Sequence, residues 1–547
     1  MVEDVAARGG PPETRTPEAW REAVEAAIHA GDMARAVALA EQALQAGVLH
    51  PALLNLRAFR AEHEGRFEDS LADLRRARDL APEDASILNA LGLCLTRLER
   101  NGEAIEALGE ATRLNPDFAQ VWNNKGIAEL AHGALEPARL SFETAAALQP
   151  GFAEPRGHLA LMAARRGERP LARALGAAAL AIKPGLSEAV RALGEVDLAE
   201  GRPVEAERRL VPLLGDAELG PNGRYLSRVL LGDALDRQGR YGEAFQAYEA
   251  ANAGYQALYA ARFGQSGLLD QLESLHEAFD ALWPRGVEPG PGGAAPARRH
   301  IFLIGFMRSG TTLMEQVLAA LPGAVSLEEK EVLVSGVMDY MRRPEGLRRL
   351  ANADEAALEV HRADYWRRVR EWGVDPTGKV FIDKMPFDGL RLPLIHRLFP
   401  EAQIVFAVRD PRDVVFSCFK HRFAVSAYTY EFLTLPSAVR LYDVFMKSVE
   451  TFDARMPLNL HRYRHEDLVE DFDGQVRALC DFLEVPWNEA MRDIGRRSRQ
   501  GLVTSPSASQ LLGGLSREGL GQWRRYEEQL APHYRGLERW VSQFGYA

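Results

Sequence analysis

A chain of 547 residues, 46% hydrophobic and 26% charged, is long enough for two or more domains with sizeable cores and has the composition of folded globular protein. No apolar run reaches the ~18 residues of a membrane-spanning helix, and a net charge of −11 argues against a nucleic-acid-binding protein. The acidity is uneven: residues 1–300 carry 33 Lys and Arg against 43 Asp and Glu, the remainder 33 against 34. At the start of the chain Met1–Pro12 has acidic residues and no apolar stretch, so no secretory leader is expected. Cys94, Cys418 and Cys480 are too few and too widely spaced for a disulfide framework or a zinc site, which makes a reducing, cytoplasmic setting without a metal centre the expectation.

Pro82, Pro116, Pro150 and Pro184 recur every 34 residues. Around them a pattern of small and large residues repeats: Leu91-Gly92 with Ala104, Leu108 and Ala111, then Trp122 and Gly126 with Ala138, Phe142 and Ala145. Further copies are Leu159 with Ala172 and Ala179, Leu193-Gly194 with Ala206 and Leu210, and Leu231-Gly232 with Ala244, Tyr248 and Ala251. An alanine-rich bundle with an accidental period is the plain alternative, but four prolines in register with the alanines speak against it. The spacing resembles the tetratricopeptide repeat, in which small residues let paired helices approach and proline closes the second helix. About six repeats over 18–258 are expected, with 18–48 and 51–81 fitting loosely. The resemblance implies an all-α solenoid whose concave face takes a protein or peptide partner. Asn123 and Asn124 are candidate groove amides, while Trp122 stands at a packing position.

A helical connector and a Gly/Pro linker, Gly286-Val-Glu-Pro-Gly-Pro-Gly-Gly, fill 259–299. Beyond it, over 300–547, the period changes. Ile301–Ile304, Val380–Ile382 and Ile404–Val408 are short β-branched runs that alternate with helical segments, the pattern of a mostly parallel α/β sheet. Ligands of such sheets sit beyond the C-terminal strand ends, and these three runs lead into Arg308, Asp383-Lys384 and Arg409-Asp410. Gly305 and Gly310 have the spacing of the phosphate loop G-x-x-x-x-G-K-[ST], with Thr311 in place of the lysine. Backbone N–H groups, Arg308, Ser309, Thr311 and Thr312 then make a cradle for an anion at a helix N-terminus, without the parts for ATP hydrolysis.

Gly305-Phe-Met-Arg-Ser-Gly-Thr-Thr resembles the 5′-phosphosulfate loop of sulfotransferases, with Met307 where proline is usual. Val408-Arg-Asp-Pro-Arg-Asp-Val-Val-Phe-Ser417 resembles their 3′-phosphate motif. With Asp383-Lys-Met-Pro-Phe387, order and spacing look most like tyrosylprotein sulfotransferases, and like bacterial chains that join tetratricopeptide repeats to a sulfotransferase domain. The resemblance covers about 300–530 and implies a P-loop-like three-layer sheet, the donor 3′-phosphoadenosine-5′-phosphosulfate, no metal, and transfer of a sulfo group to a hydroxyl acceptor.

By the same resemblance Arg308 and the loop hold the 5′-phosphosulfate, Arg409 and Ser417 hold the 3′-phosphate, and Lys384 meets the leaving oxygen. Twenty-one residues after Arg308, Glu329 falls at the base position, with Glu328 its competitor. A solvated acidic helix start is the bland reading of Ser326-Leu-Glu-Glu-Lys-Glu331. Arg464 or His465 lies near the adenine, or ends an ordinary strand, and Ser507 matches a serine on the donor. Leu512-Gly513-Gly514 departs from the family at the C-terminal donor clamp, and Arg524 and Arg525 read as exposed helix charges. A P-loop kinase and a repeat scaffold with a decayed catalytic domain are the alternatives. The acceptor is open among tyrosyl peptide, sugar, lipid and small phenol.

Overall fold

A computed structural model describes residues 15–290, 292–293, 295–495 and 514–546. The chain divides into two compact units, Met1–Val196 and Asp197–Ala547.

The first unit is a solenoid of helix pairs: Pro17–His29 with Met33–Gln45, Pro51–His63 with Phe67–Leu80, Ala85–Arg97 with Asn101–Leu114, Ala119–His132 with Leu135–Leu148, and Ala153–Arg165 with Arg169–Ile182. The two pairs that fit the repeat pattern loosely are fully formed helices. Each of Pro82, Pro116, Pro150 and Pro184 falls two residues beyond a second helix, where a missing N–H costs nothing. The small-to-large pairing has a steric basis. A Cβ at Gly126 would stand 2.7 Å from the Phe142 ring, which is fully buried, so the helices pack at a separation only glycine permits. Asn123 and Asn124 are buried, and Asn124 Nδ2 donates to Asn89 Oδ1 of the preceding repeat at 2.8 Å. Trp122 is only half-buried: its indole N–H donates to the Pro116 carbonyl at 2.8 Å and Lys125 lies over its ring at 4.9 Å.

The second unit opens with more helices of the same kind, Pro203–Leu214, Pro221–Asp236 and Tyr241–Phe263, followed by Leu268–Leu282. Its sheet has five strands: β1 Arg299–Gly305, β2 Ala324–Glu328, β3 Val380–Lys384, β4 Gln403–Val408 and β5 Leu460–Arg464. Their order is β2-β3-β1-β4-β5, with every adjacent pair parallel. Alternate residues enter different cores, as a pleated strand with both faces covered requires. Phe302, Ile304, Phe381, Ile404 and Phe406 pack on one side with the helices Glu355–Glu371 and Leu435–Arg455. Ile301, Leu303, Ile382, Val405 and Ala407 pack on the other with Thr311–Leu318 and Phe472–Leu483. The result is a three-layer α/β domain that follows the all-helical repeat region in the chain. No helix of the described residues is long and apolar enough to cross a membrane.

Candidate active site

Parallel strands bring all their C-terminal ends to one edge of the sheet, and register fixes which residues meet there. Glu328 pairs with Lys384 across β2 and β3, Gly305 with Ala407 across β1 and β4, and Val408 with Arg464 across β4 and β5. The turns that follow carry Arg308, Glu329, Arg409 and His465.

After β1 the chain turns through Phe306–Gly310 into the helix Thr311–Leu318. Gly310 has φ +93°, and a Cβ there would strike the His465 ring, so the turn and the imidazole fit only around glycine. Arg308 is in the left-handed region at φ 69° and Glu329 at φ 50°. Non-glycine residues pay about 1–3 kcal/mol for such a backbone, and two of the four in the described chain flank this one crevice.

Arg308 Nε donates to Ser417 Oγ at 3.1 Å, and Arg409 Nη1 donates to the Arg308 carbonyl at 2.9 Å. Arg308, expected at one end of the donor, is therefore bonded to both Arg409 and Ser417, expected at the other. Burial, with the neighbouring Arg409 charge, pulls the Arg308 pKa down to about 10. Several buried polar atoms here lack a hydrogen-bond partner among the described residues: Ser309 Oγ, Arg409 Nε, Arg464 Nε and His465 Nδ1. Thr311 and Thr312 are buried at the helix start. Burial, then Arg409 and Arg308, push the His465 pKa down to about 3. His465 is neutral, a cushion under the loop instead of another positive charge. Arg464 stacks over Tyr546 at 4.3 Å. Tyr546 donates to Glu466 Oε2 at 2.5 Å, and Glu466 Oε1 accepts the Asp410 N–H at 3.1 Å, which ties the turns after β4 and β5 together.

At the other end of the crevice Lys384 is fully buried and sits among three carboxylates: Glu329 at 2.6 Å, Glu328 at 3.5 Å and Glu315 at 3.6 Å. Burial works against its charge, but Glu315, Glu329 and Glu328 outweigh it and hold the ammonium above the ordinary lysine range. Glu329 is the nearest and the most exposed of the three, its side chain 30% accessible against 14% for Glu328 and 2% for Glu315. The acidic run begins as strand β2 and not as a helix, and the Glu329 N–H donates to the Lys384 carbonyl at 2.8 Å.

Sequence reasoning missed Glu315. It lies one turn after Thr311 on the loop helix, where spacing alone places it below the loop. It also missed Asp413, whose carboxylate accepts the N–H groups of Gly521 at 2.6 Å and Trp523 at 2.9 Å. Arg524 and Arg525 are exposed, as expected. Ser507 lies outside the described residues.

Buried arginines and loop N–H groups, a caged lysine and an accessible carboxylate thus lie at the strand ends of a parallel sheet, where α/β folds of the phosphate-loop type bind their ligands. Comparison with known families makes this specific. Residues 300–489 match the sulfotransferase family model, and 61–110 and 96–153 match tetratricopeptide-repeat models. The chain thus carries a sulfotransferase-family domain and tetratricopeptide repeats. It is 27% identical over 271 residues to an uncharacterized protein of Aquifex aeolicus (strain VF5), covering 47% of this chain and 35% of that protein. It is 26% identical over 237 residues to protein-tyrosine sulfotransferase 1 of Danio rerio, covering 41% of this chain and 65% of that one. The chain thus spans less than two thirds of either relative. Among solved structures, a tetratricopeptide repeat protein of Parabacteroides merdae ATCC 43184 is 16% identical, with 43% of this chain and 92% of that one covered at a TM-score of 0.36. A thermophilic tetratricopeptide protein of Thermus thermophilus is 23% identical, with 36% and 99% covered and a TM-score of 0.29.

Proposed function

We propose that this chain transfers a sulfo group from 3′-phosphoadenosine-5′-phosphosulfate to a hydroxyl acceptor, with Glu329 as base. The observation that carries the reading is the joining of Arg308, Ser417 and Arg409 into one cationic cluster at the strand ends, with the Lys384–Glu329 pair in the same crevice. The unpartnered atoms of Ser309, Arg409, Arg464 and His465 fit a ligand with more than one phosphate. Thr311 in place of the phosphate-loop lysine, and the Arg409–Ser417 pair suited to a 3′-phosphate that ATP lacks, favour this donor over ATP.

Bound there, the donor would supply a sulfo group already activated by a phosphate leaving group. The chain's own residues do the rest. Arg308 and the N–H groups of the loop hold the 5′ end at the helix N-terminus. Arg409 and Ser417 hold the 3′-phosphate, and Arg464 or His465 borders the adenine. Ser507, by its place in the sequence, is a further donor contact. Glu329 Oε1 takes the acceptor proton as the new oxygen–sulfur bond forms. That neutralises the carboxylate nearest Lys384, whose ammonium is then drawn to the negative charge growing on the leaving oxygen. Proton uptake and leaving-group stabilisation are thus coupled through one 2.6 Å ion pair.

The domain boundaries proposed are 18–258 for the repeats, 259–299 for the connector and 300–547 for the transferase. The repeats, by their class, are proposed to present a protein or peptide, and a tyrosyl acceptor is the form that the relative named protein-tyrosine sulfotransferase 1 favours. The test is calorimetric titration with 3′-phosphoadenosine-5′-phosphate, the same nucleotide lacking the 3′-phosphate, and ATP with magnesium. Tight, metal-independent binding that requires the 3′-phosphate is expected; preference for magnesium-ATP overturns the reading.

A further inference from the structure

Two cations near the crevice have opposite settings. Lys384 is enclosed by carboxylates, whereas Lys420, at the end of the helix Pro411–Lys420, meets no negative charge at contact distance among the described residues. Its ammonium donates to the neutral Gln522 Oε1 at 2.9 Å and lies 5.3 Å from the Phe416 ring centre. A part-buried ammonium held only by a neutral amide and a ring forgoes much of its hydration without a counter-ion. Burial lowers its pKa, Asp236 and Asp233 partly offset that, and Arg308 and Arg409 push it lower again. Lys420 therefore belongs to the same electrostatic cluster as the two arginines.

Geometry says which end of the cluster. Lys420 follows Ser417 by three residues on one helix, so the two side chains share a face. The segment 519–523 fixes the rest. Arg409 Nη2 donates to the Gly519 carbonyl, Asp413 holds the N–H groups of Gly521 and Trp523, and Lys420 holds Gln522. Arg409, Asp413 and Lys420 all reach one stretch of five residues, and Ser417 lies between the last two on their helix. Arg409 has Asp413 Oδ2 at 3.9 Å besides the Gly519 carbonyl, whereas Gln522 offers Lys420 only a neutral oxygen, which is weak compensation beside a phosphate.

We propose that Lys420 is a third anchoring cation for the donor, closing with Arg409 and Ser417 on the 3′-phosphate. This rests on the sulfo-donor reading above. The helix Pro221–Asp236 contributes from behind. Asp233 accepts the Tyr248 hydroxyl at 2.9 Å, Asp236 accepts that of Tyr526 at 2.5 Å, and Asn252 Nδ2, one helix on, donates to the Phe419 carbonyl at 2.8 Å. The last repeat-type helices thus set the end of the helix on which Ser417 and Lys420 stand.

The experiment is calorimetry on the full chain with 3′-phosphoadenosine-5′-phosphate and with the analogue lacking the 3′-phosphate. The readout is the ratio of the two affinities. Lys420→Gln, which keeps a polar partner for Gln522 and so spares the fold, is expected to reduce that ratio by roughly ten- to a hundredfold while leaving the analogue's affinity unchanged. Lys420→Arg is expected to restore most of it, and Gln522→Leu to preserve it. An unchanged ratio in Lys420→Gln, or an equal loss for both nucleotides, overturns the assignment and leaves Lys420 a tether for Gln522. A wild-type chain with no preference for the 3′-phosphate fails the donor reading instead, so the two failures are distinguishable.

Discussion

The ion pair between Lys384 and Glu329 gives the sharpest test, because its two partners have different surroundings. Lys384→Met removes the cation that Glu329, Glu328 and Glu315 share, one of these carboxylates being almost fully buried. Breaking a buried pair from one side costs about 3–5 kcal/mol, so this variant is expected to lose stability as well as turnover. Glu329→Gln leaves Lys384 with carboxylates at 3.5 and 3.6 Å. Because Glu329 is 30% accessible, its loss is expected to cost only about 1 kcal/mol. If Glu329 takes the proton, turnover nonetheless falls by roughly 10²–10⁴. The assay is transfer of a radiolabelled sulfo group to the best acceptor from a hydroxyl panel, beside nucleotide affinity and the melting curve of each variant. Base catalysis predicts that turnover collapses in Glu329→Gln while nucleotide affinity and melting hardly move. Turnover that stays unchanged, or that falls only in proportion to stability across both variants, refutes the argument. Glu328→Gln then becomes the variant to examine.

Gly310→Ala combines a forbidden φ with a collision against His465, and is expected to weaken nucleotide binding by at least tenfold. Adding His465→Ala relieves the collision but not the backbone, so calorimetry on the double variant should show partial recovery; none would mean the contact is not limiting. His300 and His465 are both held down to about 3 by burial. They are neutral in the fold, so the stability they contribute is complete above about pH 6.5 and is lost as pH falls toward 3, at up to ~1.4 kcal/mol per unit for each. Melting curves from pH 7.5 to 5 should steepen below 6.5, and a His300→Phe chain that kept the full slope would contradict this. Asp413→Ala strips the acceptor from the Gly521 and Trp523 amides, whose hydrogen exchange should accelerate; unchanged protection would show that other contacts hold the segment.

What could be read in the sequence depended on burial. β1, β3 and β4 are the three central strands, with nearly every residue buried, so each stands out as an unbroken apolar run that ends in a charged turn. β2 and β5 are the edges. Each buries one residue, Leu327 and Tyr463, and beside it has only one other sizeable apolar residue, Val325 or Leu460, so Ala324–Glu328 and Leu460–Arg464 are not apolar runs that stand out in the sequence. The repeats were legible for the converse reason, since a steric pairing such as Gly126 with Phe142 must recur wherever two helices meet.

The candidate site follows the same division. Arg308, Lys384 and Arg409 sit at or just beyond central strand ends, where spacing from a recognisable run fixes their place; Ser417 follows Arg409 by eight residues in the motif, and the structure joins it and both arginines within two hydrogen bonds. Glu315, Asp413 and Lys420 lie within helices, where a lone charge has no local pattern to set it apart from a solvated face. Their roles come from what stands opposite in space: Lys384 across 69 residues of sequence, Gly521 across 108 and Gln522 across 102. A charge on a helix acquires a partner only once the sheet has set the distance between its strand ends. The partners of such charges are therefore what no motif announces, and substitutions there are the ones to make when the donor clamp is tested.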